Sequence, residues 1–95
     1  MTKSEIAGKI SERTGIERTT TIAVIESFMI EVKESVKNNE SVFLRGFGTF
    51  SAKKRKEKTG RNILKNTTMI IPSHYSPSFK PSKIFKEDIK NNIIS

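Results

Sequence analysis

Lys53-Lys54-Arg55-Lys56-Glu57-Lys58-Thr59-Gly60-Arg61-Asn62, followed by Ile63-Leu64-Lys65-Asn66 and the uncharged return Thr67-Thr68-Met69-Ile70-Ile71-Pro72, decides the reading of the fold. From Lys53 to Lys65 there are seven Lys or Arg and one Glu, so +6 of the chain's formal +8 sits here and the rest is nearly neutral. A run of like charge is ordinarily a solvated face. Here strand-like segments flank the run, and Gly60, Asn62 and Asn66, which tolerate turn conformations, interrupt it. The segment therefore reads as a basic two-stranded ribbon projecting from a small body, with legs Lys53–Arg61 and Lys65–Pro72. Legs of about eight or nine residues at roughly 3.3 Å each reach on the order of 25–30 Å, enough to follow a groove well beyond the body.

Outside the ribbon about 70 residues remain to build a core, which is marginal for an isolated chain and makes oligomerisation the expectation. There is no cysteine, so disulfides and thiolate metal sites are excluded and the composition suits a reducing cytoplasm. No apolar run approaches the roughly 18 residues that span a bilayer, and the N-terminus carries no signal-peptide pattern; no membrane role is expected. A pI near 10.0 with its charge in one segment points to a polyanion. Nucleic acid ranks ahead of membrane because the basic stretch has no amphipathic helical pattern.

Before the ribbon, Thr2 with Glu5 three residues on forms a capping-box pattern, Ile6 and Ile10 recur at helical spacing, and Gly15 supplies a stop; a helix is predicted over Lys3–Thr14. Ile22, Ile25, Met29, Val32 and Val36, with Phe28 alongside, alternate spacings of three and four and predict a second helix over Arg18–Lys37, closed by Asn38-Asn39. This seam is long for its one short partner, so part of it is expected to face a second copy of the chain. Val42-Phe43-Leu44-Arg45 reads as a short strand and Gly46-Phe47-Gly48-Thr49-Phe50 as a turn into a strand that continues into the arm. The Gly-x-Gly there lacks the Gly-Lys-Ser/Thr helix start of a phosphate loop, so Phe47 and Phe50 read as core. After the ribbon, Ser73–Ser76 ends the returning strand and Pro77–Pro81 leads out of the sheet. Ser82 caps a last helix over Lys83–Asn91 with Ile84, Phe85 and Ile89 facing inward.

Two helices, a hairpin opening on Gly46-Phe47-Gly48-Thr49-Phe50, a basic arm with Thr59-Gly60-Arg61-Asn62, and Pro77 and Phe79 ahead of a short helix together resemble the bacterial HU/IHF family of histone-like proteins, from Lys3 to about Lys90. The resemblance implies an α+β fold: two N-terminal helices, a three-stranded antiparallel sheet with a long β-ribbon arm, a short C-terminal helix and an intertwined two-fold dimer. It divides the single domain into a helical dimerisation part (1–40), a sheet with a DNA-binding arm at about 52–74 (41–82) and the last helix (83–91). It further implies arms that occupy the DNA minor groove and bend the duplex. By resemblance Phe47, Phe50 and Phe79 belong to an aromatic core, Lys3 and Lys83 meet DNA phosphates, and Arg55, Lys58, Arg61 and Asn62 lie on the groove-following arm. Lys53, Lys65, Lys80 and Lys86 are added on charge grounds. The family's usual proline after Arg-Asn is here Ile63, an apolar residue that does not lock its own φ; it either wedges between base pairs, the reading favoured, or packs within the arm of a protein that bends DNA less.

The function expected is architectural: largely sequence-independent binding of double-stranded DNA by a homodimer, in the nucleoid of a bacterial cytoplasm, with bending or compaction of the duplex. Alternatives are an IHF-like sequence-selective bender, often half of a heterodimer, and a ribbon that adds strands to a protein partner. Structured RNA stays open as a partner, but unpaired strands are disfavoured because no Phe, Tyr or Trp lies between Ser51 and His74. No constellation supports catalysis, no cofactor or metal is implied, and the one histidine, His74, reads as structural.

Overall fold

A computed structural model describes residues 1–62 and 67–93. They form two compact units, Met1–Ser35 and Val36–Ser95. In the first, helix α1 (Lys3–Thr14) begins where Thr2 Oγ1 accepts the Glu5 N–H at 3.2 Å and ends on Gly15, whose φ of 77° lets its N–H reach the Ser11 carbonyl. Helix α2 (Arg18–Lys37) is tied to α1 by Arg18, which donates to the Ser4 carbonyl and hydroxyl at 3.1 and 2.6 Å, and by a 2.7 Å ion pair between Lys3 and Glu26. Both helices match their predicted bounds. Asn39 closes α2 with φ 60°, its N–H returning to the Val36 carbonyl.

The second unit holds a three-stranded antiparallel sheet in the order β1 (Val42–Leu44), β2 (Gly48–Arg55), β5 (His74–Pro81) and a two-stranded ribbon of β3 (Lys58–Asn62) and β4 (Thr67–Ile71). Between β1 and β2 the Phe47 N–H bonds the Leu44 carbonyl at 2.9 Å, and Gly46 takes the positive φ, 81°, that a type II turn requires at its third residue. Helix α3 (Lys83–Asn92) starts on Ser82, whose hydroxyl accepts the Phe85 N–H while its own N–H bonds the Phe47 carbonyl at 2.8 Å. The last helix is thereby fastened to the β1–β2 turn.

Two expectations are corrected. Pro77–Pro81 does not lead out of the sheet: it is the body of β5, paired residue by residue from Ala52↔Pro77 to Gly48↔Pro81. Proline is tolerated because β5 is an edge strand, and Pro77 and Pro81, an even number of residues apart, both turn their missing donors to the same unpaired side. The arm is also not one unbroken pair of legs: pairing stops after Arg55↔His74 and resumes at Lys58↔Ile71, across Lys56-Glu57 on one leg and Pro72-Ser73 on the other. Pro72 has no N–H to offer a ladder, and an interruption on one leg leaves its partner leg unpaired.

On one face of the sheet Phe47, Phe50, Phe79 and Phe85 form a chain of rings: Phe50–Phe79 at 4.7 Å, Phe47–Phe79 at 5.1 Å and Phe47–Phe85 stacked at 5.4 Å. Phe85 faces inward as expected. Ile84 and Ile89 do not; they are 62 and 49% exposed among the described residues. Among the described residues the only fully buried apolar side chain is Ala7, and sixteen large apolar side chains remain exposed.

Candidate nucleic-acid interface

Side chains alternate across a strand, so the register fixes what each face of the sheet presents. Val42, Leu44, Phe50, Phe79 and the prolines of β5 share the aromatic face. The opposite face carries Phe43, Thr49 and Lys80 in one row, then Ser51 beside Ser78, Lys53 beside Ser76, and Arg55 beside His74. Three permanent cations, four hydroxyls and no carboxylate make this a surface for an anion. Lys53, Arg55, Lys80 and His74 are exposed, and the hydroxyl residues between them are half-buried. Phe43 is 76% exposed on that same face.

Where the sheet gives way to the ribbon, an open concavity of about 430 Å³ is lined by Arg55, Lys56, Glu57, Lys58, His74 and Ser76. His74 Nδ1 lies 2.9 Å from the Pro72 carbonyl oxygen. Beyond it β3 carries Lys58, Arg61 and Asn62 opposite Ile71, Thr68 and Thr67. The uncharged return strand thus leaves the ribbon's positive charge unopposed.

The expected site residues are distributed unevenly. Lys53, Arg55 and Lys80 share the carboxylate-free face, and Lys58, Arg61 and Asn62 continue from it along β3. Lys83 and Lys86 lie one turn apart on α3, with Lys90 a further turn on, a row that the successive i, i+3 and i, i+4 spacings predict and that extends the expected pair. Lys3, expected by resemblance to meet a DNA phosphate, makes a 2.7 Å ion pair with Glu26, both side chains about half exposed. Ile63 and Lys65 lie outside the described residues. Thr49, Ser51, Ser76 and Ser78 were not anticipated, although the alternation Thr49, Ser51, Lys53, Arg55 against Gly48, Phe50, Ala52 is visible in the sequence as a period of two.

The family model described as bacterial DNA-binding protein matches residues 1–90. The chain belongs to that family. Among curated relatives, the DNA-binding protein HU of Thermus thermophilus is 32% identical over 90 residues, covering 95% of this chain and 93% of that one. The SPbeta prophage-derived DNA-binding protein HU 2 of Bacillus subtilis is also 32% identical over 90 residues, covering 95 and 98%. Among solved structures, an Anabaena HU–DNA cocrystal structure superposes with a TM-score of 0.90 at 31% identity, covering 94% of this chain and 97% of that one. The α+β architecture described above is the fold of this family.

Proposed function

We propose that this chain is an HU-type architectural protein that binds double-stranded DNA largely without sequence preference and bends it as a homodimer in the bacterial nucleoid. The observation that carries the reading is the carboxylate-free face of the sheet, which runs from Lys80 through Lys53 and Arg55 into the basic ribbon. Phosphates held by that face, Lys83 and Lys86 supply affinity that does not depend on base identity. The ribbon, with Arg55, Lys58, Arg61, Asn62 and Lys65, follows the minor groove, and Ile63, next in the chain after Arg61-Asn62, enters a base step. The cost of bending is offset by the added contact. The exposed apolar surface supports the dimer. An isolated soluble chain seldom leaves so many large apolar side chains open, and Phe28 and Met29 of the α2 seam are 44 and 39% exposed. A second copy covering α2 removes that surface from water.

The test combines light scattering, fluorescence-transfer bending of a short duplex, and affinity as a function of salt on the same sample. A dimer that bends unrelated duplexes to similar degrees is expected. With about six to ten phosphates neutralised per dimer, log affinity should fall with log salt at a slope of roughly −5 to −9. A slope shallower than about −2 would remove the basic ribbon as the binding surface. Strong preference for one duplex would favour sequence-selective bending instead.

A further inference from the structure

We infer that the concavity at the base of the ribbon is a phosphate site in which His74 is a proton-dependent ligand; the inference rests on the DNA-binding reading above and adds a residue to it. His74 stands directly across the β2–β5 ladder from Arg55, on the carboxylate-free face, and lines the concavity with Arg55, Lys56, Lys58, Glu57 and Ser76. Its Nδ1 faces the Pro72 carbonyl oxygen at 2.9 Å. A carbonyl only accepts, so Nδ1 carries a proton, and in the neutral ring Nε2 is left as an acceptor with nothing to give a phosphate oxygen. The imidazolium alone offers a second N–H. A phosphate bridging the Arg55 guanidinium and Nε2 therefore binds with uptake of one proton from solvent onto Nε2, converting a repelled acceptor into a charge-assisted donor.

The charged groups around the ring set the balance. Arg55 on β2, Lys56 in the connection and Lys58 at the start of β3 are the cations lining the concavity, and Glu57 is its one carboxylate. Among the described residues the one ion pair is Lys3–Glu26, so the cations here are not already engaged by carboxylates. An incoming phosphate supplies a negative charge that favours the imidazolium. DNA affinity should then decrease as pH rises through the range in which imidazole loses its proton.

His74 is the sole histidine, so its ring C2 proton is a unique NMR reporter in this chain. Its titration should be followed in the free protein, with saturating duplex DNA and with inorganic phosphate alone. The midpoint is expected to move to higher pH with DNA. A matching shift with inorganic phosphate identifies the phosphate group as sufficient, whereas a shift with DNA alone assigns the ligand to the backbone of the duplex. In parallel, wild type should bind duplex about threefold to tenfold more tightly at pH 6 than at pH 8, the scale of one exposed charge-assisted contact, and His74→Gln should lose that extra dependence. An unmoved midpoint in a protein that demonstrably binds the duplex, or a His74→Gln variant with the wild-type pH profile, would overturn the inference and leave DNA binding intact. Failure of the wild type to bind duplex at any pH would instead strike the DNA-binding reading itself.

Discussion

Gly48→Ala adds one methyl group at the point where the sheet, the aromatic chain and the edge strand meet, and the structure sets the size of the effect. A Cβ at Gly48 would lie 2.5 Å from Phe79 Cζ, 2.6 Å from Phe79 Cε1 and 2.6 Å from the Lys80 carbonyl oxygen. Ordinary carbon contacts begin roughly 1 Å further out. The Phe79 ring can yield only by disturbing its packing on Phe47 and Phe50, and such aromatic pairs are worth about 0.5–1.5 kcal/mol each. The Lys80 carbonyl can yield only if β5 moves where Gly48 pairs with Pro81 and Thr49 with Lys80. Overpacking of this kind costs about 1–3 kcal/mol. For a domain of this size a loss of about 2 kcal/mol lowers the melting temperature by about 8–16 °C. Thermal and urea unfolding followed by far-ultraviolet circular dichroism measures it, at one fixed protein concentration because a dimer's apparent stability depends on concentration. Gly60→Ala is the control: its Cβ would meet Ile71 Cδ1 at 3.5 Å, an ordinary contact, so a change within about 0.5 kcal/mol is expected. A Gly48→Ala protein melting within about 2 °C of wild type would refute the claim that close approach fixes glycine there.

Three further outcomes are expected. Met29→Lys places a charge in the α2 seam and should abolish folding or dimerisation, read by light scattering and circular dichroism; a wild-type chain that is a stable folded monomer at micromolar concentration would defeat the dimer reading. Glu26→Gln releases Lys3 from its 2.7 Å ion pair, which as an exposed pair is worth no more than about 1 kcal/mol, so DNA affinity should rise by up to about fivefold. The same change in a Lys3→Ala background should do nothing, and an equal rise there would show that Glu26 acts through general repulsion instead of through Lys3. Ile63→Ala should leave affinity for straight duplex and its salt dependence almost unchanged while reducing the bend and the preference for nicked DNA; an alanine variant that bends as strongly as wild type would mean that Ile63 is not the wedge.

How far the fold is legible in the sequence depends on the range of the interaction that decides each element. The α1 bounds and the end of α2 rest on Thr2, Glu5, Gly15 and Asn39, each of which acts on backbone groups within a turn of itself and is readable residue by residue. The character of β5 is decided by β2 and by nothing within β5. Pro77 and Pro81 are local signals against a strand, and they are harmless only because the ladder occupies one side of β5 and leaves the other free. The break between sheet and ribbon is half legible: Pro72 announces it on the return leg, while on the outgoing leg Lys56-Glu57 carries no breaker and is unpaired opposite Pro72-Ser73.

The same distinction governs the candidate interface and the apolar seam. Charge is an additive property of sequence, so the concentration of cations between Lys53 and Lys65 was visible before any strand was placed. Their assembly with Lys80 was not, because Lys80 joins them only through its pairing with Thr49, which puts it on the face of Lys53 and Arg55. The inward expectation for Ile84 and Ile89 failed for the complementary reason. Periodicity shows that a face is apolar but carries no information about which surface covers it. Phe85 is half-buried because Phe47 of the same chain lies 5.4 Å away, whereas Ile84 and Ile89 have no such partner among the described residues. An apolar position that is well patterned and yet exposed is thus where periodicity alone does not name the covering surface, and in this chain those positions include Phe28 and Met29 on α2, 44 and 39% exposed.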